Sequence, residues 1–597
     1  MSRDRETNTP STLFFIQRLS RYQPLRFTAC ACCWILYHSW HLIPGLLAKA
    51  FFDILEGHPT AGLTFESIVV LILVAGLAKV GTIYGGAITW APLIFKSQGL
   101  LRRNLLTRIL DLPGAKALPW SIGEAISTLR DDVEAAGEMT GWVFNALAGL
   151  IFAVGGIAIL LYVNARVTLL VFIPIAIVMT LSYIARTRLE HVREQSRLAT
   201  AEVTGSIGEI FYAVQAIQVA GAESNIVAHL RKLGDVRQQM MLRDQLLGLS
   251  LDAIFANTAN LGAGLTLLVA ASAMRTDAFT IGDFALFATY LMQVASYTQF
   301  FGYLIRTYRQ SGVSFKRAVA LLQGASPASL VAYHPLYLRG RLPATTSPIN
   351  QERDRLNTLE VSGLTLRYPG SEGGIENVSF EIKRGELTVI TGRIGSGKTT
   401  LLRAMLGLLE PQAGEIRWNN RTVEQPAHFF VAPRTAYTAQ VPTLLSGTLR
   451  ENILLGLHCD NDTLERAIHH AVLDRDIAKL PDGLETLVGP RGMKLSGGQI
   501  QRTAAARMFV RAPEILIFDD LSSALDIETE ILLWQRLIEQ EITCLAVSHR
   551  PMVLAKADQI LILEDGKISA RGTLKELLRT SPEMQQLYIR TPSDGFS

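Results

Sequence analysis

Charge is what this chain has least of. Asp, Glu, Lys and Arg make up 18% of its 597 residues, against about 25% in an ordinary soluble domain. With 49% hydrophobic residues and a mean hydropathy of +0.25, the composition argues against a wholly soluble protein. Cysteine is scarce too. Of the five, Cys30, Cys32 and Cys33 crowd one apolar run, while Cys459 and Cys544 lie far away. No disulfide framework or zinc spacing can be drawn from them, and they read as buried thiols in a reducing compartment. The formal net charge is only +4, too near balance for a nucleic-acid groove. Low-complexity tracts, short internal repeats and a secretory cleavage pattern are all missing. Disordered, collagenous and disulfide-stapled classes are excluded, and the length suits about two to four domains.

What is there begins with six apolar stretches. Phe27 to Ala48, Thr140 to Ala165, Ala253 to Met274 and Phe284 to Ile305 each run 22 residues or more without Asp, Glu, Lys or Arg, and Val167 to Ala185 adds nineteen. Ser67 to Phe95 is interrupted only by Lys79. A hydrocarbon core about 30 Å thick needs about 20 such residues. Six in succession read as membrane spans rather than buried helices of a soluble protein. Six Lys or Arg lie between Lys96 and Arg130, and eight between Arg186 and Arg243, whereas Glu56 to Glu66 has none. Basic loops stay inside, so the expectation is a multi-pass protein of the cell inner (plasma) membrane with both termini cytoplasmic. The two basic stretches have helical periodicity and predict spans two to five continuing as helices beyond the lipid. Leu13 to Arg21 predicts an amphipathic surface helix. Asp252 falls near the inner boundary. From Ala325 to Leu356, Pro327, Pro335, Pro343 and Pro348 read as a linker. The expected division is a membrane domain over 1–325, a linker over 326–356 and an α/β domain over 357–597.

In that last part Gly392-Arg393-Ile394-Gly395-Ser396-Gly397-Lys398-Thr399 follows a β-branched strand and precedes a helical run from Thr400. Glycines at this spacing let successive N–H groups face inward as an anion nest, completed by a helix N-terminus. Lys398 would reach the outer phosphates and the Thr399 hydroxyl would serve as a magnesium ligand. ATP and Mg2+ are therefore the expected cofactors. Glu514 to Asp520 is an apolar strand ending in two carboxylates. Asp519 would stand beside the metal and Asp520 where a base for the attacking water belongs.

Between these motifs lies Leu495-Ser496-Gly497-Gly498-Gln499, which resembles the signature of ATP-binding cassette (ABC) proteins. The soluble half is similar to that family from about residue 358 to 590, and the membrane half resembles its exporter type. The resemblance implies an all-α six-helix transmembrane domain fused to an α/β P-loop cassette, together acting as half of a dimeric transporter. It implies that Tyr368 stacks on adenine, that Gln440 touches magnesium and couples to the membrane half, and that His549 contacts the γ-phosphate. Ser523-Ala524-Leu525-Asp526 matches a loop at the dimer interface, and the Leu495 to Gln499 signature contacts the opposite chain's ATP. Gly123 to Ser127 and Ala220 to Glu223 resemble segments flanking the coupling helices.

Two departures matter. The family places Glu where this chain has Asp520, one methylene shorter, while a base must stand about 2.6–3.2 Å from its proton. A slow ATPase site beside an intact signature predicts a heterodimer, with a homodimer as the alternative. Thr486 to Gly492 lacks the family's acids, carrying Leu487 and Pro490 instead. Lys79, near mid-bilayer, is a substrate or ion-pair candidate; His38 and His41 read as packed polar residues. The expected function is ATP-driven export of a drug, lipid or peptide. An importer on the same fold and a membrane-anchored regulatory cassette are the alternatives. Nothing before the first span resembles a cysteine-protease domain, so leader-peptide processing is not expected.

Overall fold

The computed structural model describes residues 10–57, 62–114, 118–274, 279–342, 355–368, 370–371, 373–489, 492, 494–521 and 524–590. Arg275, Pro343, Pro348, Pro490, Ser523 and the side chain of Asp252 lie outside that description. Two compact units emerge: Met1–Thr107 with Leu118–Leu336, and Arg108–Ala117 with Tyr337–Ser597.

Among the described residues, the regular elements of the first unit are all helices. Helix α1 (Thr12–Tyr22) starts at Ser11, whose side chain accepts from the Phe14 N–H, and buries Phe15, Ile16 and Leu19. The Phe15 ring stacks on Phe315 at 4.6 Å. The first span is not the single helix expected over Phe27 to Ala48. It is broken into α2 (Pro24–Ser39) and α3 (Leu42–Leu55) at Trp40 and His41. Pro44 explains the break, because an unbroken helix would press its ring against the Trp40 carbonyl four residues back. Beyond Ala48, α3 carries Lys49 and Asp53. Lys49 Nζ lies 3.0 Å from Asp53 and 2.5 Å from Asp283, joining α3 to a later helix.

Helix α4 (Phe65–Asp111) is 47 residues long, about 70 Å at 1.5 Å per residue, and so outruns the lipid as expected. Its outer face exposes Val69, Val70, Leu71, Ile72, Leu73 and Leu77, a run that water would not tolerate and lipid does. Its inner face is small. A Cβ on Gly86 would stand 3.3 Å from the Trp34 indole, so glycine lets the helices close.

After α5 (Ile122–Ser127) and a π turn over Thr128–Asp132 comes α6 (Val133–Ala220). It is two helices joined at Asn164, whose backbone is extended (φ −157°, ψ 98°). The Asn164 carboxamide accepts from the Val167 N–H at 3.0 Å, capping the second half. The third and fourth spans thus follow each other with almost no loop. Gly221, left-handed at φ +59°, ends α6 before α7 (Glu223–Met274), and α8 (Ile281–Leu321) follows with Thr280 and Asp283 as a capping box. By length and apolarity, Phe65–Asp111 and Ile122–Ile173 can cross a membrane, and Ile281–Val294 is a shorter apolar helix. The first part of the stretch read as linker is in fact packed. Leu330 and Val331 are buried, and the Asn104 amide donates to the Leu330 and Ala332 carbonyls at 3.0 and 2.9 Å.

Among its described residues the second unit holds two sheets. Its strands are β1 (Thr358–Arg367), β2 (Gly374–Lys383), β3 (Leu387–Thr391), β4 (Ala413–Trp418), β5 (Arg421–Thr422), β6 (Thr435–Thr438), β7 (Ile515–Asp519), β8 (Thr543–Val547), β9 (Gln559–Glu564) and β10 (Lys567–Gly572). One sheet is antiparallel, ordered β2-β1-β4-β5; the other is ordered β10-β9-β3-β8-β7-β6 and is parallel from β9 to β6. Every residue of β3, β7 and β8 is buried, as strands covered on both faces must be. The helices are α9 (Lys398–Met405), α10 (Pro426–Phe429), α11 (Leu449–Leu454), α12 (Asn461–His470), α13 (Asp474–Lys479), α14 (Gly497–Phe509), α15 (Ile527–Ile538), α16 (Pro551–Lys556), α17 (Leu574–Thr580) and α18 (Pro582–Arg590).

Trp534 of α15 is 1% exposed and meets Phe518 of β7 edge-on at 5.9 Å. Trp534→Ala should cost about 3–5 kcal/mol, read as a fall in the cassette's thermal unfolding temperature in the purified chain.

Candidate functional site

The parallel register brings one end of every central strand together. Ile390 pairs with Val547, Val547 with Asp519, and Thr438 with Phe518. The residues just past β3, β6, β7 and β8 therefore share one edge: Gly392 to Lys398, Gln440, Asp519 with Asp520, and His549. An open parallel sheet puts its ligand site at the carboxyl ends of its strands.

The glycine loop needs its glycines. Gly392, Gly395 and Gly397 have φ of +143°, +84° and +99°. A Cβ on Gly397 would stand 2.7 Å from the Gly374 carbonyl and 3.1 Å from Ile375. Lys398 folds back over the loop, donating to the Gly392 and Arg393 carbonyls at 2.7 Å each. Burial pushes its pKa down, against the pull of Asp519 and Asp520. Ser396 is buried and Ile394 fully exposed. The Thr399 hydroxyl donates to Asp519 Oδ1 at 3.1 Å. The other carboxylate oxygen, Oδ2, is buried without a hydrogen-bond partner. Burial raises the Asp519 pKa, with the Thr399 bond opposing it. A hydroxyl and an orphaned carboxylate oxygen form a donor set for a hard cation. Among the described residues no three His, Cys, Asp or Glu form a metal cluster, so further ligands would come from phosphate and water.

Asp520 turns the chain sharply after β7. Its φ is +56°, a left-handed conformation that Asp tolerates better than most residues. Its N–H donates to the Val547 carbonyl at 3.2 Å. His549 is held through Nδ1 by the Thr391 hydroxyl at 3.0 Å. Burial pushes the His549 pKa down, Lys398 adds to that, and Asp520 opposes it. These three groups share one electrostatic neighbourhood. Gln440 is exposed. Tyr368, just past β1, is part-exposed at 38%, and its hydroxyl lies 3.3 Å from that of Thr400.

The signature opens α14. Ser496 is its N-cap, with the Ser496 N–H donating to Gln499 at 3.0 Å and the Gln499 N–H to Ser496 at 3.3 Å. Gln499 also donates to Asp476 at 3.0 Å, and Arg502 reaches the same carboxylate at 2.7 Å. Gly498 has no room for a side chain, since a Cβ would stand 3.0 Å from the Ala524 carbonyl. Leu495 packs inward on the hydrophobic core, so it supports the signature from below. Asp526 caps α15 by accepting from the Thr529 N–H at 2.9 Å.

Comparison with known proteins fits this geometry. The profile described as ABC transporter matches residues 375–523, and that of the ABC transporter transmembrane region matches 27–297, together more than half of the chain. The chain belongs to the ABC transporters. It is 29% identical over 497 residues to the uncharacterized ABC transporter ATP-binding protein YfiB of Bacillus subtilis, covering 82% of both chains. It is 26% identical to an ATP-dependent lipid A-core flippase of Xanthomonas campestris, over 80% of this chain and 79% of that one. The solved structure of a bacterial Atm1-family ABC exporter with ATP bound superposes with a TM-score of 0.74 at 21% identity, over 96% of this chain and 99% of that one. This ABC transporter therefore has the exporter fold, with membrane helices and cassette in one chain.

Three partners escaped the sequence. Arg393 is read as part of the backbone nest, and its guanidinium grips Glu583 of α18 with two bonds of 2.7 and 2.6 Å. Asp476 anchors the signature and Thr391 holds His549. None belongs to a motif, and Glu583 lies 190 residues from Arg393.

Gly397→Ala would force the loop into about 1–3 kcal/mol of strain; a fluorescent ATP analogue should bind several-fold more weakly to the otherwise folded chain. A second test uses pH. Because the folded pKa of His549 lies below its ordinary 6.5, its contribution is intact above that value and is lost as pH falls below it. The drop in unfolding temperature between pH 7.5 and 5.5, about one unit either side of that value, should shrink in His549→Gln.

Proposed function

We propose that the chain is the exporter half that carries a degenerate ATP site, completed by a second, different half-transporter. The observation behind this reading is Asp520. It stands past β7 where a base is wanted, one methylene short, while Ser496 to Gln499 caps α14 in good order. The signature then serves the partner's competent site, and the chain's own site holds ATP with little turnover. Retained His549, held in place by Thr391, favours the homodimer as the second reading.

In this reading Gly392 to Thr400 with Lys398 would cradle the phosphates, Tyr368 would stack on the base, and Thr399, Gln440 and Asp519 would hold Mg2+. The ion, when bound, would draw off charge developing on the γ-phosphate. His549 orients that phosphate, and Asp520 accepts the water's proton slowly. Leu495 to Gln499 and Asp526 act across the dimer. The membrane domain over 1–325, the linker to 356 and the cassette from 357 would sit with both termini on the cytoplasmic side of the inner membrane. Closure of two cassettes on ATP would alternate the membrane half between inward- and outward-facing states. A drug, lipid or peptide would be carried, and the flippase among the relatives favours an amphiphile.

The test is the Mg-ATPase rate of the purified chain in lipid beside Asp520→Glu. A near-background rate that rises at least about tenfold, up to the roughly 10²–10⁴ that a well-placed base supplies, is expected. Robust turnover by the unaltered chain, unmoved by the substitution, would mean a self-sufficient homodimer.

A further inference from the structure

The break between α2 and α3 is lined by polar groups that do not all find partners. His38 does. Its Nε2 donates to the Asn145 carboxamide oxygen at 3.0 Å and its Nδ1 accepts from the Tyr297 hydroxyl, so both ring nitrogens are used. His41 is also settled. Its Nδ1 lies 3.1 Å from the Tyr37 carbonyl, which can only accept, so Nδ1 carries the proton and Nε2 is left as an acceptor. That acceptor faces Lys79 Nζ at 3.3 Å.

Lys79 is not settled. An ammonium has three donors and one full charge. One donor goes to His41, and the Tyr37 ring, 5.4 Å away, takes the charge on its face. No carboxylate among the described residues lies within ion-pair distance of Nζ. Lys79 therefore stands on the packed side of α4 with no carboxylate beside it, in a stretch that otherwise holds no Asp, Glu, Arg, His or second Lys from Ser67 to Phe95. A second donor is stranded at the same break. The Trp40 indole N–H is buried without an acceptor. An ammonium with unmet donors, beside a helix break and against the Tyr37 ring, is complementary to a negative group on an apolar body.

We infer that Lys79, steadied by His41 and Tyr37, is the recognition point for an organic anion, a carboxylate or phosphate carried on a hydrophobic body. The inference rests on the reading of the membrane half as the transport path and names the chemistry of its cargo. His38, Asn145 and Tyr297 form the closed polar frame against which that point is held. The anion has two possible sources, the bilayer itself or the aqueous phase.

The experiment is equilibrium binding, without ATP, to the full chain in phosphatidylcholine nanodiscs. The probes are radiolabelled oleate, taurocholate and, as a neutral control, oleyl alcohol. One of the two anions should bind, and Lys79→Gln and the apolar, size-matched Lys79→Met should weaken it at least about tenfold. Lys79→Arg should keep it, and oleyl alcohol should not respond to any of the three. Oleate alone would assign the bilayer as the source, and taurocholate alone the aqueous phase. Binding of neither anion, or binding that ignores Lys79, overturns the inference. Equal binding of oleate and oleyl alcohol by the unaltered chain overturns it without any variant. Lys79-dependent binding with no ATP-driven flux would instead sink the transport reading and leave the site standing.

Discussion

One hydrogen bond, from Thr399 to Asp519, ties the cassette together. It closes the gap between the loop after β3 and the end of β7, two strands separated by β8. It can form only because the parallel register holds Ile390, Val547 and Asp519 level. That register in turn depends on strands buried on both faces, so the hydrophobic core sets the position of the carboxylate. The core also creates the tension at the site. Burial drives Asp519 toward its neutral form and Lys398 toward its own, and both are relieved when opposite charges arrive. A nucleotide carrying a cation supplies both signs at once.

The membrane unit answers a different constraint. Lipid offers nothing to a free N–H or C=O, so every pass must be helical and every break must be mended locally. The two breaks are mended in different ways. At Asn164 a carboxamide caps the next helix. At Trp40 and His41 the backbone turns before Pro44, and side chains from α2, α4, α6 and α8 gather around the gap. A lysine at mid-bilayer costs about 2.5–3.5 kcal/mol, and its position beside that gap sets it apart from the apolar residues around it.

The motifs were legible because each encodes its own geometry in a few consecutive residues. Gly392 to Thr399 needs positive φ at three places and has glycine at all three. Ser496 and Gln499 are a capping pair three apart. Pro44 also announced the break in the first span, but the apolar run around it masked the signal: hydrophobicity reports lipid contact and says little about backbone continuity. Glu583, Asp476 and Thr391 could not be read in advance. Each acts through contacts with residues distant in the chain, and an isolated carboxylate or hydroxyl has no spacing to recognise. The same holds for residues 326–336. Their prolines suggested a linker, yet Asn104 secures them with two bonds to backbone carbonyls, which carry no sequence signature at all.

The fork between Arg393 and Glu583 has a mechanical meaning. Arg393 is the second residue of the glycine loop, and Glu583 sits in the first turn of α18, a helix about 13 Å long. Two parallel bonds resist twisting as well as stretching. A pull on α18 is therefore transmitted to the glycine loop, which is tied to that helix instead of moving as a free segment.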